Sequence, residues 1–269
     1  MSIYTKQDII KQLENMNAPK DSIVLMHSSL RAVGQVEGGA KALLETLIEY
    51  FTADGGLFCV PSHTWHNFGK EIMLDMTTCD NCLGAFSTVA LQDPRGVRTE
   101  SPIHSMVVFG EKARVDEFVA DEKNIKSTTA PDSCYGKLFS QGGQVLLVGV
   151  NHSRNTYLHA VAEILNLPNR MASDYSQVKI KRKNGEVVDR KIKFYHNDYT
   201  DDLSCRFVKY ETAFRYHHAI TDGFIGNAPT QLCDARKMKE TVERIFKNSD
   251  GADPLIDEKP IPQKWYCLT

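Results

Sequence analysis

The 269-residue chain has no apolar run approaching the roughly 18 residues that a membrane-crossing helix needs, and its opening stretch, MSIYTKQDIIKQ, lacks the apolar core of a secretory signal. Those absences argue against a membrane protein and make a cytoplasmic one the expectation. Charge of one sign is missing too. The 32 Lys and Arg against 34 Asp and Glu leave a net charge of −2, which argues against a nucleic-acid binder. The seven cysteines are odd in number and scattered, so they make no disulfide framework for a cytosolic chain. Only Cys79 and Cys82 form a C-x-x-C, and no second pair of Cys or His stands at the spacing of a structural zinc site. They read as unligated thiols, with a redox pair as the other account. Repeats, low-complexity tracts and long linkers are also absent. What remains, 42% hydrophobic and 25% charged residues, is ordinary for a globular chain long enough to bury a full core, and residues 1–269 read as one domain.

The most informative stretch is Gln144 to Glu163. Gln144 to Val150 is a short apolar run rich in β-branched residues, bounded by Gly142-Gly143 and Asn151, as a buried strand should be. From Tyr157 the period changes, with Leu158, Val161, Ala162 and Leu165 at helical spacing and Asn155 or Thr156 placed to cap the first turn. His159 and Glu163 are four apart and share one face of that helix. A histidine near a helix start is held neutral by the dipole, and a carboxylate one turn later could orient it or stabilise the imidazolium it becomes. The plainer account is a surface ion pair.

Elsewhere Thr5 caps a helix to Met16 with Asp8 completing a capping box, and Ser22 to Met26 reads as a strand. It runs into a loop, His27 to Gly34, ahead of a helix from Ala40 to Phe51 with Leu43, Leu44, Leu47 and Ile48 on its apolar face. Strand, Ser-rich turn and helix start in that order offer amides and hydroxyls to an anion, although no Gly-Lys-Ser/Thr of a Walker loop follows. Gly56 to Pro61 is a second buried strand leading into Ser62-His63-Thr64-Trp65-His66, where an open α/β sheet places its ligands. Asn67 to Glu100 is irregular. Met106 to Phe109 reads as a strand, Glu111 to Asp121 as a helix and Pro131 to Phe139 as a connection. Asn184-Gly185 between two alternating basic strands signals a hairpin with a solvated, lysine-guarded edge. Leu203 to His217 looks helical, Ala219 to Ala228 turns, and Asp234 to Phe246 closes the chain as an amphipathic helix. The alternation predicts a three-layer α/β/α sandwich with a mixed central sheet and an inserted β-hairpin.

With these segments assembled, the chain resembles the aminoglycoside 3-N-acetyltransferase family, the antibiotic acetyltransferases unrelated in fold to the GNAT superfamily. The matching pieces are His27-Ser28-Ser29-Leu30-Arg31 with Val33-Gly34 and Gly38-Gly39-Ala40, Val60-Pro61-Ser62-His63-Thr64, and Tyr135-Gly136-Lys137-Leu138. Gly143 to Gly149, Asn155-Thr156-x-Leu158-His159-x-x-x-Glu163 and Ile225-Gly226-x-Ala228 follow in the family's order. The resemblance implies acetyl transfer from acetyl-CoA to an amine of an aminoglycoside, at the 3-amino group of the deoxystreptamine ring, without a metal. It implies His159 as general base, with Glu163 and Thr156 beside it. CoA contacts would come from His27, Ser28, Ser29, Leu30, Arg31 and Val33 with Thr64, Ser105 and Tyr135, the Ser28-Ser29 turn holding the pyrophosphate. A homodimer is compatible with it. Ser105, Thr64 and Thr156 are the candidate donors to the developing oxyanion.

One departure falls on the acceptor side. Where the family carries Arg-Ser-x-His-Pro-x-x-Ser, this chain reads Arg98-Thr99-Glu100-Ser101-Pro102-Ile103-His104-Ser105, with Ser101 in place of the first histidine. Acceptor contacts are expected from His63, Asp201 and Asp202, with Glu71, Asp75 and Asp80 as a second acidic group, since a polyammonium ligand needs carboxylates at the mouth of its cleft. Two other accounts stand beside this one. One is a metal-dependent hydrolase using His159 and Glu163 with His63, His66 or a cysteine, and the other is a non-catalytic CoA-binding protein.

Overall fold

A computed structural model of the chain describes residues 3–200 and 202–267. Strand β1 (Ile3–Tyr4) leads into α1 (Lys6–Asn15), where the Thr5 hydroxyl accepts from the Asp8 amide and the Asp8 carboxylate accepts from the Thr5 amide, the expected capping box. Then come β2 (Ile23–Ser28), the one-turn helix α2 (Leu30–Val33), β3 (Gln35–Val36), the long helix α3 (Gly39–Thr52) and β4 (Leu57–Pro61). The middle of the chain holds β5 (Ile72–Asp75), α4 (Ala85–Gln92), β6 (Val97–Arg98), β7 (Met106–Phe109), α5 (Lys112–Val119) and α6 (Cys134–Ser140). β8 (Gln144–Val148), α7 (Tyr157–Ile164), β9 (Ser176–Lys181) and β10 (Val187–Ile192) follow. The chain ends with α8 (Glu211–Tyr216), β11 (Ile220–Ile225), β12 (Ala228–Asp234) and α9 (Ala235–Asn248). Among the described residues no helix is long and apolar enough to cross a membrane.

Seven strands build the main sheet in the order β11-β12-β8-β2-β4-β7-β6. β8, β2 and β4 run parallel, while β12, β11, β7 and β6 pair antiparallel, so the sheet is mixed as expected. The residues of β8 divide by parity. Val145 and Leu147 pack with α5, α6, α7, α8 and α9, and Leu146 and Val148 pack with α1, α3 and α4 on the opposite face. A strand apolar on both faces is what a three-layer sandwich requires, and full burial of each such side chain is worth roughly 1.5–3 kcal/mol.

Three expectations change. The lysine-guarded hairpin forms, with Gly185 in the left-handed region (φ +85°), but it is no free insertion. β9 pairs in parallel with β5, making a second sheet in the order β10-β9-β5 over its own core of Met73, Ile103, Ile125, Val178, Ile192 and Phe194. The irregular stretch therefore supplies a strand, and it supplies α4 as well. Ala219 to Ala228 is not a run of turns, because β11 and β12 form a hairpin that continues the main sheet beyond β8. Gly226 and Pro229 carry a turn signal, but Gly226 lies between the strands and Pro229 near the start of β12, where a missing amide is tolerated. Leu203 to Tyr210 is a 3₁₀ helix that passes into α8.

Candidate active site

The parallel strands β2, β4 and β8 end on one edge of the sheet, and a cavity of about 650 Å³ opens beyond them, lined by Ser28, Pro61 and Val150 among others. β7 runs antiparallel to β4 with Met106 opposite Pro61, so the segment entering β7 reaches the same edge as the segment leaving β4. Their backbones stay paired past the strand ends, Ser62 N–H donating to Ser105 O (2.7 Å) and Thr64 N–H to Ile103 O (3.0 Å). That pairing sets His63 beside His104, their rings edge to face with centroids 4.9 Å apart. The ring of His159, from the first turn of α7, stands 6.2 Å from that of His104, between Tyr195 at 4.3 Å and Phe207 at 5.0 Å. At Gly149 the chain leaves β8 with φ +62°, and a Cβ there would come within 2.3 Å of the Ala32 side chain, so this corner of the cavity needs glycine.

Burial governs the protonation of these imidazoles. Loss of hydration pulls His27 and His104 down to about 3 and His159 to about 4, and it holds His63 well below the ordinary histidine range. All four are neutral at pH 7. The expectation of a neutral His159 stands, but desolvation is the leading cause in place of the helix dipole, with Arg170 adding to it and Asp202 opposing. Three of the rings are also short of partners, for His27 Nε2, His63 Nδ1 and His159 Nδ1 are buried without a hydrogen bond. His63 Nε2 meets the Tyr135 hydroxyl at 2.8 Å and His104 Nδ1 meets Thr128 Oγ1 at 2.9 Å. Unpaired buried polar atoms and titratable groups perturbed by burial, gathered around a cavity, mark a candidate functional site.

The expected site residues separate into those the cavity gathers and those it does not. His159, Thr156, His27, Ser28, His63 and Asp202 all line it, and Asp201 lies outside the described residues. Tyr135 stands one step back, behind His63. Glu163 does not orient His159, a correction, because its carboxylate accepts from Ser127 Oγ (2.5 Å) and Thr129 Oγ1 (2.9 Å). Neither Asn155 nor Thr156 caps α7 through its side chain, since Thr156 is already helical (φ −60°, ψ −24°) and Asn155 Nδ2 donates to His152 Nδ1. Two candidate oxyanion donors are spent. Thr64 Oγ1 donates to Met73 O, and Ser105 Oγ donates to Ser62 O while accepting from Arg98 Nε.

In the Ser28-Ser29 turn, the Ser29 amide donates to Val148 O (2.9 Å) and its hydroxyl caps α2, which leaves Leu30 and Arg31 as the first amides of that turn. Val33 is a core residue. The second acidic group is also taken: Glu71 pairs with Lys179 (3.1 Å), Asp75 with Lys181 (3.2 Å) and Asp80 with His66 (3.0 Å). Cys79 and Cys82 are free thiols, and Cys82 lines the cavity with its Sγ on His63 O. Among the described residues no three His, Cys, Asp or Glu side chains converge as a metal-ligand set.

The residue that reading the chain missed is His104. Its only sequence signal was a polar position just before an apolar strand, and the strand pairing that turns it toward His63 is not visible in a one-dimensional pattern. Ser101, in the place of the family's first histidine, is buried with its Oγ unpartnered.

Comparison with known proteins identifies the family and the fold. A family model described as aminoglycoside 3-N-acetyltransferase matches residues 25–247. The chain is 24% identical to the prophage-derived aminoglycoside N(3')-acetyltransferase-like protein YokD of Bacillus subtilis (strain 168), over 92% of this chain and 94% of that protein. It is 25% identical to aminoglycoside N(3)-acetyltransferase IV of a Salmonella species, over 94% and 90% of the two chains. Among solved structures, the crystal structure of YokD superposes with a TM-score of 0.78 at 21% identity, covering 94% of this chain and 97% of that one. A mutant of AAC(3)-IVa in complex with a gentamicin gives 0.77 at 23% identity, covering 97% and 93%. AAC-IIIb in binary complex with CoASH gives 0.75 at 19%, covering 89% and 94%.

Proposed function

This chain belongs to the aminoglycoside 3-N-acetyltransferase family, whose cosubstrate is acetyl-CoA, and on that premise we propose that it acetylates the 3-amino group of the deoxystreptamine ring of an aminoglycoside, with His159 as general base and direct attack on the thioester. The observation that carries this reading is a neutral imidazole, unpaired at Nδ1, opening on the cavity at the carboxyl ends of the parallel strands. The deprotonated amine attacks the thioester carbonyl carbon, a C–N bond forms, and the carbonyl π electrons pass to oxygen. His159 takes the proton that the amine nitrogen sheds. Collapse of the oxyanion breaks the C–S bond, and the leaving thiolate receives that proton, so amine and acetyl-CoA become amide and free CoA.

His27 and Ser28 line the cavity and lead to the Leu30 and Arg31 amides, a path suited to the CoA pyrophosphate, with the exposed Arg31 guanidinium beside it. Asp202 supplies a carboxylate, and Trp65 and Phe68 supply aromatic faces on which sugar rings can rest. Relatives crystallised with a gentamicin and with CoASH support both halves of the reading. The test is a panel of aminoglycosides and simple amines assayed for thiol release from acetyl-CoA, with the acetylated nitrogen located by mass spectrometry. Thiol release with an aminoglycoside and acetyl on its 3-amino group is expected. Release with simple amines alone, or none at all, would refute the assignment.

A further inference from the structure

We propose that His104 is a second catalytic residue, a neutral imidazole whose Nε2–H donates to the oxyanion that forms when the amine attacks the thioester. This rests on the acetyl-transfer reading above and adds a donor where Thr64 and Ser105 have spent their hydroxyls, beside Thr156, which lines the same cavity. Four observations carry it.

The first is the tautomer. His104 lines the cavity with its Nδ1 2.9 Å from Thr128 Oγ1, and Thr128 is buried. A buried hydroxyl proton needs an acceptor, and the partner within reach of this one is His104 Nδ1. Thr128 therefore donates to Nδ1, which puts the ring hydrogen on Nε2, the nitrogen left for the cavity. The second is charge. Burial keeps this imidazole neutral through the physiological range, so it remains a hydrogen-bond donor with no positive charge beside the base.

The third is position, since the His104 and His159 rings stand 6.2 Å apart on one cavity wall, near enough for one to donate to the carbonyl oxygen while the other takes the amine proton. The fourth is backbone strain. Ile103, the residue just before it, has φ +58°, an outlier for a β-branched side chain, and such strain persists at sites where the surroundings hold a neighbour in a required pose. The hold is visible. Glu163 on α7 accepts from Ser127 and Thr129, the two residues flanking Thr128, so the helix that carries His159 also fixes the hydroxyl that sets the His104 tautomer. Glu163 and Thr128 are positioning residues for His104.

Turnover of His104→Ala and His104→Gln, both checked for folding by thermal unfolding, tests the proposal. Loss of one oxyanion donor should lower kcat about 100- to 1,000-fold in His104→Ala with the KM for acetyl-CoA little changed, and His104→Gln, which keeps an N–H at the Nε2 position, should recover about tenfold or more. A His104→Ala enzyme close to wild type in kcat, or a folded His104→Gln as inactive as His104→Ala, overturns it. The ring tautomer is a readout that needs no turnover and no substitution of His104. Long-range ¹H–¹⁵N spectra of the free wild-type protein should show His104 as Nε2–H at pH 7, and Thr128→Val should shift it toward Nδ1–H. An Nδ1–H form in the wild type overturns the inference even if acetyl transfer is found. A wild type that releases no thiol with any amine defeats the acetyl-transfer reading separately.

Discussion

Two groups of ionisable side chains, one lining the cavity and the other on and beside the small sheet, follow opposite rules. In the cavity, His27, His63, His104 and His159 are enclosed with hardly a charged partner, and burial strips them of protons. On the small sheet, Lys179, Lys181 and Arg182 meet Glu71, Asp75 and Glu100 at 2.9 to 3.2 Å while remaining partly open to water. The first group is under-partnered and chemically available. The second is fully partnered and inert, because solvent-exposed pairs gain little from each other and have no orphan atom to offer. The contrast explains why Glu71 and Asp75, near the Ser62-His63-Thr64 strand end, serve the hairpin, while Asp202 lines the cavity.

The largest expected effect tests the cavity side. His159→Ala should leave the fold intact and lower kcat by roughly 10² to 10⁴, the usual loss for a general base, as measured by thiol release at saturating acetyl-CoA. Near-normal turnover would put His159 among the inert groups. Next comes acid stability. His27, His104, His152 and His159 have folded values of about 3 to 4, below the ordinary histidine value, with burial as the leading cause in each. Between those values and roughly pH 6.5 the unfolded chain binds more protons than the folded one, so stability must fall as the pH drops through that window, by up to about 1.4 kcal/mol per pH unit for each histidine. Urea midpoints between pH 7 and pH 4 measure it. His104→Gln should show a shallower decline than wild type, and identical profiles would contradict the burial argument.

A smaller effect is expected at the join between the two groups. Glu163→Gln weakens the grip on Ser127 and Thr129 without touching His159, so kcat should fall by about tenfold or less, the order expected when one charge-assisted hydrogen bond is weakened. A loss as large as that of His159→Ala would mean the two act as a unit. The smallest effect belongs to the small sheet, where Lys179→Ala combined with Lys181→Ala should cost less than about 1 kcal/mol by urea unfolding and leave kcat unchanged. A larger cost would show that these pairs help to hold the cavity wall.

Much of this was legible in the chain because it depends on neighbours in sequence. The β8 run, the start of α7, the Thr5–Asp8 box, the apolar face of α3 and the Asn184-Gly185 hairpin are local patterns, and each is found where the sequence placed it, although the expected side-chain cap of α7 is not formed. The short strands were harder to read. β5 is four residues long with a bulge, too brief for any period to declare itself, and its partner β9 lies about a hundred residues away.

The sequence by itself therefore determined the alternation of strands and helices, the family, and the placing of His159 one turn into a helix behind a buried strand, since spacing and period are local properties. Only the tertiary structure decided which groups are chemically free. Hydroxyl and amide donors are consumed by whichever acceptors the fold brings within hydrogen-bond reach: the Thr64 hydroxyl went to Met73, Ser105 to Ser62, the Ser29 amide to Val148, and the Ser127 and Thr129 hydroxyls to Glu163. His104 acquired its place because β7 pairs antiparallel with β4, and a histidine's hydration, and with it its charge, depends on everything packed around it in space.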